Sequence, residues 1–231
     1  MKIKATVKKR IAGLAFILFY LALLFAMFFV SAGKLDFPSA WISLSMYSLT
    51  SIINVFTVDP ELISERLQLG GEKVNRKDQI LASISYLFLF PTTIIVAGLD
   101  LGRFGWTQSF PVVIQIIGLI LYVLGNLFSR WAMANNRYFS TFVRIQKDRG
   151  HVVETGGPYQ FVRHPGYAGA ILAAIVLPLA LGSVYAIAPA LIGCVGFIIR
   201  TNMEDNQLKS ELAGYPEYAN KVKYRLLPWV W

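Results

Sequence analysis

Six apolar stretches, at roughly 11–33, 37–58, 79–100, 109–133, 166–182 and 184–200, alternate with polar connections along the chain. The first four run for about 20 residues or more, enough for a helix to cross ~30 Å of hydrocarbon. The last two are about 17 residues each, separated only by Leu181-Gly182-Ser183, which predicts a tight helical hairpin. Pro178, Pro189, Gly193 and Gly196 suit buried spans that bend or pack closely. Polar residues gather in a loop at 59–78, a longer loop at 134–165 and a tail at 201–231. Leu208, Leu212 and Tyr215 fall at helical spacing in the tail. Pro216 is expected to interrupt that helix, and a second short one, with Tyr218 and Val222, follows. The closing run from Tyr224 to Trp231 has the tryptophans of a membrane-interface anchor.

Composition fits this pattern. The 231 residues are 55% hydrophobic and 15% charged, with a mean hydropathy of +0.53. These values exclude an ordinary soluble domain. The fold class is therefore all-α: a polytopic helical membrane protein with about six spans and cytoplasmic C-terminal helices. Val30-Ser31-Ala32 resembles a signal cleavage site, but the apolar run before it, about 19 residues, exceeds a signal core. No internal repeat or low-complexity segment is present. The chain divides into N-terminal spans and loop, 1–110, and a C-terminal core with its loop and tail, 111–231.

A net charge of +9 would suit a nucleic-acid partner, but the basic residues flank spans instead of forming a patch. With the N-terminus placed in the cytoplasm, Lys34 and Arg103 alone among 22 Lys and Arg fall on the far side. The positive-inside rule then puts both termini inside. One cysteine, Cys194, excludes an internal disulfide, and two histidines, His151 and His164, do not make a zinc site. No metal is expected. Ionisable residues are nearly absent from the spans, which argues against a proton-coupled transporter.

Candidate chemistry lies at the span ends. Gly156-Gly157-Pro158-Tyr159 through Val162-Arg163-His164-Pro165 and Tyr167 crowds polar groups at the start of the fifth span. Free N–H groups there favour anions. At the end of the sixth span, Arg200 and Glu204 are spaced i,i+4 and are expected to pair. The neighbouring Asp205 points about 100° away, which leaves a carboxylate for a cationic ligand group. Arg130 to Ser140, continuing to Gln146 and His151, leaves the fourth span on the same side. Asp59-Pro60-Glu61 predicts a short capped helix with Pro at N1.

Three ordered motifs carry a resemblance. They are Gly157-Pro158-Tyr159 … Val162-Arg163-His164-Pro165 … Tyr167 … Gly169, then Arg200-x-x-x-Glu204-Asp205-x-x-Leu208, then Gly214-Tyr215 … Tyr218 … Arg225-Leu226 … Pro228. From about 118 to 231 the chain resembles the isoprenylcysteine carboxyl methyltransferase family, a group that includes phospholipid methyltransferase-like membrane enzymes. The resemblance implies a membrane methyltransferase that uses S-adenosyl-L-methionine. It would place Gln146, Pro158, Tyr159, Val162, Arg163, His164, Pro165 and Tyr167 along the cofactor, with Glu204 or Asp205 facing its amino group. The family's usual Glu-Glu is Glu204-Asp205 here, one methylene shorter at the second acid.

On this reading Arg200, oriented by Glu204, holds the acceptor, with Arg225 and Tyr218 also at the substrate. The acceptor is a lipophilic or prenylated small molecule or peptide among membrane lipids, and carboxyl O-methylation is the leading chemistry. A carboxylate needs no base, whereas a phospholipid amine would need Glu204 or His164 to take its proton. A sterol-type membrane reductase using NADPH, or a non-enzymatic carrier, are the competing classes. The motifs do not reveal the oligomeric state.

Overall fold

The computed structural model describes residues 2–67, 76–142 and 144–231. Residues 68–75 of the expected 59–78 loop, Lys73 included, lie outside the described residues. Nine α-helices and no strand occur among the described residues. They are α1 (Lys2–Ala32), α2 (Pro38–Thr57), α3 (Pro60–Leu67), α4 (Arg76–Leu87), α5 (Thr93–Gly98), α6 (Val112–Asn135), α7 (Pro165–Leu181), α8 (Ile187–Glu211) and α9 (Tyr215–Lys221). The chain is thus an all-helical, multi-pass membrane protein. Four helical rods, Thr6–Ala32, Arg76–Phe104, Val112–Asn135 and Ile187–Glu211, are long and apolar enough to cross a membrane, and Pro165–Leu181 is a shorter apolar helix.

Each predicted apolar stretch contains a helix, and the departures have local causes. The third rod is not a plain α-helix, since π-helical turns at Phe88–Thr92 and Leu99–Phe104 flank α5. Pro91, inside the first of them, has no N–H to give the preceding turn, and the Thr93 hydroxyl separately donates to the Phe88 carbonyl at 2.8 Å. The expected break at Pro216 is displaced. α8 runs on from the sixth apolar stretch to Glu211, and the chain turns at Gly214, whose φ of +82° suits glycine. Pro216 then sits in the first turn of α9, where its fixed φ starts a helix. The short α3 forms as predicted: Asp59 Oδ1 accepts the Glu61 N–H at 2.7 Å.

Asp100, at the end of the third stretch, is fully buried. It accepts the N–H and hydroxyl of Thr107, each at 2.7 Å, and the hydroxyl of Ser183. This clasp ties the α7–α8 turn to the end of the third rod.

The central packing is α6 against α7. A Cβ on Gly125 would lie 2.8 Å from the Gly169 carbonyl, and one on Gly169 would lie 2.5 Å from the Gly125 carbonyl. Two backbones in contact leave no room for a side chain. The core around this crossing includes Tyr122, Ala173, Leu177, Leu24, Phe28, Leu89 and Phe197. Gly169→Val is therefore expected to lower unfolding stability in detergent by about 3 kcal/mol, the upper end for overpacking. A thermal or denaturant midpoint measures it.

Candidate active site

The motifs at the span ends converge because α7 begins, and α8 ends, beside the same loop and tail. Their ends, with the 136–154 loop and α9, enclose a cleft of about 820 Å³. Tyr159, Arg163, His164, Tyr167, Glu204 and Tyr218 line it, as do Tyr86, Asn136, Tyr138, Phe139, Arg144, His151, Glu154 and Tyr215. Polar and aromatic groups alternate on its wall. Burial pushes the hydroxyls of Tyr159, Tyr215 and Tyr218 up, so they remain neutral. Tyr218 donates to the Tyr159 carbonyl at 2.7 Å, so its ring, and not its hydroxyl, is what it offers the cleft.

Asp205 does not face the cleft. It is fully buried and surrounded by cations. Arg163 grips it with Nε at 2.7 Å and Nη2 at 3.1 Å, Arg225 Nε reaches it at 2.8 Å and Lys209 Nζ at 2.9 Å. The Tyr215 hydroxyl donates to it at 3.0 Å, and His164 Nε2 lies 3.4 Å away. The expectation that Asp205 awaits a cationic ligand group is thus corrected: protein side chains saturate it. Arg163 donates its remaining Nη1 to the Val222 and Lys223 carbonyls, both at 2.7 Å. Backbone N–H groups of Arg163 and His164 donate to the Tyr224 and Arg225 carbonyls, both at 2.9 Å. Asp205 therefore locks the Arg-His-Pro turn to the tail. Arg225 stays outside the cleft, its guanidinium stacked 4.8 Å from the Trp231 ring.

Glu204 is the member of the acid pair that lines the cleft, together with Tyr167. It does not orient Arg200. That guanidinium is fully buried and pairs with Asp78 of α4, through Nε at 2.9 Å and Nη2 at 3.4 Å. Nη2 also donates to the Thr141 carbonyl at 2.9 Å, and the group sits against the rings of Tyr86, Tyr167 and Phe197. Nη1 is buried with no partner. The predicted i,i+4 pair loses to a carboxylate 122 positions away, because Asp78 on the packed α4 meets the buried guanidinium directly while Glu204, one turn further along α8, lines the cleft.

Gln146 is also fully buried and off the cleft wall. It donates from Nε2 to the Tyr138 carbonyl at 2.7 Å, and its Oε1 accepts from Arg149, so it braces the loop. Pro158, Val162 and Pro165 are buried behind the wall and shape its backbone. His151, noted in the sequence but not placed among the site residues, lies flat on Tyr138 with centroids 4.4 Å apart. Burial, then Arg144 and Arg149, push it down to about 4. Its Nδ1 accepts the Gln146 N–H at 3.3 Å, so the neutral ring carries its proton on Nε2. Tyr86 and Asp78 carried no local sequence signal, since both sit at the start of a span far from the motifs.

Residues 117–210 match the family model for isoprenylcysteine carboxyl methyltransferase (ICMT), a stretch that includes the Arg-His-Pro turn and the acid pair. The chain is similar to protein-S-isoprenylcysteine O-methyltransferase B of Arabidopsis thaliana, 30% identical over 112 residues, which are 47% of this chain and 57% of that protein. It is also similar to a probable protein-S-isoprenylcysteine O-methyltransferase of Oryza sativa subsp. japonica, 30% identical over 63 residues, 27% of this chain and 33% of that protein. The chain thus spans about half the length, or less, of these curated relatives. Among solved structures, that of the eukaryotic intramembrane Ras methyltransferase ICMT aligns with a TM-score of 0.40 and 20% identity, over 91% of this chain and 74% of that one.

Two outcomes follow from the geometry. Asp205→Asn leaves Arg163 and Arg225 without their counter-ion and is expected to cost about 3 kcal/mol of unfolding stability. Glu204→Gln should change it by less than about 1 kcal/mol. Denaturant unfolding of both variants makes the comparison. For His151, the unfolded chain titrates near 6.5 and the folded one near 4, so the unfolded state binds more protons between these values. Stability should therefore fall as pH drops from 6.5 to 4, and His151→Gln should remove that component from the pH dependence of the unfolding midpoint.

Proposed function

We propose that this chain is an S-adenosyl-L-methionine-dependent methyltransferase that esterifies the carboxylate of an isoprenylcysteine-like lipid at the cytoplasmic face. The carrying observation is that the polar cleft abuts a second, mainly apolar cavity of about 1160 Å³ and that Tyr86 lines both. The apolar cavity lies among α1, α2, α3, α4 and α6, walled by residues such as Phe16, Ile17, Val55 and Phe90. A lipid with one polar end fits such a pair of spaces: its chain in the bundle, its head toward the cleft. The bias of basic residues toward one side supports the cytoplasmic orientation.

The cleft's donor set suits the cofactor. Glu204 offers a carboxylate to an ammonium, Arg144 a cation to a carboxylate, and the aromatic walls offer faces to a cationic sulfonium and a purine. When bound, S-adenosyl-L-methionine supplies an electrophilic methyl group whose leaving group is a neutral thioether. The protein's task is alignment, which can supply about 7–11 kcal/mol. An acceptor carboxylate, with a pKa near 4 in water, is ionised at neutral pH and needs no base. Arg200 is the proposed clamp. Asp78 and Thr141 already engage its Nε and Nη2, so Nη1 alone is left to donate. One hydrogen bond from a neutralised guanidinium orients a carboxylate without fully quenching its nucleophilicity. Asp78, not Glu204, orients that clamp. Arg163, Asp205 and Arg225 act as positioning residues that hold His164 and the Tyr167 turn. Tyr218 contributes a ring to the wall.

Isothermal titration of the detergent-solubilised protein with S-adenosylhomocysteine tests the cofactor assignment, with NADPH in parallel. Binding of the first alone, weakened about tenfold or more in Glu204→Gln as expected for a charge-assisted contact, is the predicted result. Binding of NADPH alone would move the chain to a reductase class.

A further inference from the structure

The segment after α9 is neither helix nor strand, yet it turns large apolar side chains outward. Leu227 is 58% exposed, Val230 75% and Trp229 87%. Irregular backbone tolerates a lipid environment only where its own hydrogen bonds are made. Here they are made. Arg225, Leu226 and Leu227 donate their N–H groups to the Trp231 main-chain oxygen at 2.8, 3.0 and 3.3 Å, and Val230 and Trp231 donate to the Leu227 carbonyl, both at 3.2 Å. Pro228 has no N–H to satisfy. Trp229 has a φ of +62°, a conformation that strains a bulky residue. A strained backbone that holds a tryptophan outward gains nothing from packing within the chain, so its compensation lies in a contact beyond it.

The depth of this turn is fixed by its attachment. Arg163 and His164 donate backbone N–H groups to the Tyr224 and Arg225 carbonyls, and Pro165, the next residue, starts α7. The 17 residues of α7 span about 26 Å at the helical rise, short of the ~30 Å hydrocarbon layer. An α7 that reaches the far boundary therefore has its start at or inside the near one, and the turn pinned to it lies at the same level. Lys221 and Lys223, both exposed, flank the turn. We propose that the 225–231 turn is a membrane wedge: Leu227, Trp229 and Val230 enter the adjacent leaflet at headgroup level, and Lys221 and Lys223 meet its phosphates. The wedge is joined to the candidate site through Arg225, which lies 4.8 Å from the Trp231 ring and bonds Asp205 at 2.8 Å. The leaflet thereby braces, through the tail, the lock that shapes the cleft. Nothing in this contact depends on which reaction the cleft performs.

The test places a nitroxide at Leu227→Cys, Val230→Cys or Glu217→Cys, each with the buried Cys194 changed by Cys194→Ser. Glu217, exposed on α9, is the aqueous control. In phosphatidylcholine–phosphatidylglycerol liposomes, relaxation by dissolved oxygen is compared with relaxation by a water-soluble nickel chelate. Oxygen should dominate at 227 and 230, and nickel at 217. Nickel dominating at all three would overturn the wedge. Low access to both reagents at 227 and 230, with spin–spin coupling between copies, would assign the patch to a second copy and equally overturn it. A second measurement needs no label: the emission of Trp229, taken as the difference between wild type and Trp229→Phe. It should be lost in liposomes of brominated lipid and persist against aqueous iodide; the reverse pattern contradicts the proposal. Both readouts report lipid contact alone, so their failure leaves the methyltransferase reading to be decided by S-adenosylhomocysteine binding.

Discussion

A carboxylate removed from water keeps its charge only where cations and donors replace the solvent, and Asp205 is held by three cations, a tyrosine hydroxyl and a histidine ring. Those partners come from four parts of the chain: the turn before α7, the last turns of α8, the start of α9 and the tail beyond it. A small apolar cluster of Ala132, Tyr159, Leu212, Tyr215 and Tyr218 packs these segments beyond the main core, and the Asp205 network adds directional ties to it. Burial makes the charge expensive, and the expense makes the geometry specific. Once Asp205 has drawn Arg163 and Arg225 together, the His164–Tyr167 turn and the Tyr215–Tyr218 face have fixed positions, and the cleft is the space between them.

Arg200 shows the same logic one helical turn and a half away. It is buried in the bundle and neutralised by Asp78, with aromatic rings around it. Glu204 belongs to neither acid–base knot and lines the cleft. The acid pair thus divides its labour: Asp205 holds the scaffold and Glu204 lines the cleft. The shorter side chain at the second position is consistent with this division, since Asp205 needs to reach only partners packed directly on it.

A helix in each of the six apolar stretches was legible from hydropathy, and four of the resulting rods are long and apolar enough to cross a membrane, because the bilayer requirement imposes length and composition on a segment independently of its neighbours. The Asp59 cap was legible because its partner, the Glu61 N–H, is two residues away, and the crowding of the Arg-His-Pro turn because its residues are contiguous, although its partners in Asp205 and the tail are 42 to 60 positions away. What escaped was long-range choice. Local spacing paired Arg200 with Glu204, but Asp78 took it, since a side chain's direction into or out of the bundle depends on how α8 packs against α4. Gln146, which the resemblance places along the cofactor, proved fully buried and off the cleft wall. Tyr86, which joins the two cavities, has no distinguishing neighbours in the sequence. The turn at Gly214 was misread as a break at Pro216, although proline at a helix start is stabilising.

The account stands on one claim: that the polar cleft and the apolar cavity together hold a methyl donor and a lipid carboxylate. The direct measurement is transfer of labelled methyl from S-adenosyl-L-methionine to N-acetyl-S-farnesylcysteine by the protein reconstituted in liposomes. The account predicts label in the lipid fraction that mild hydroxide releases as methanol, as a methyl ester must. No transfer by folded protein that binds S-adenosylhomocysteine, or label that resists base, would contradict it.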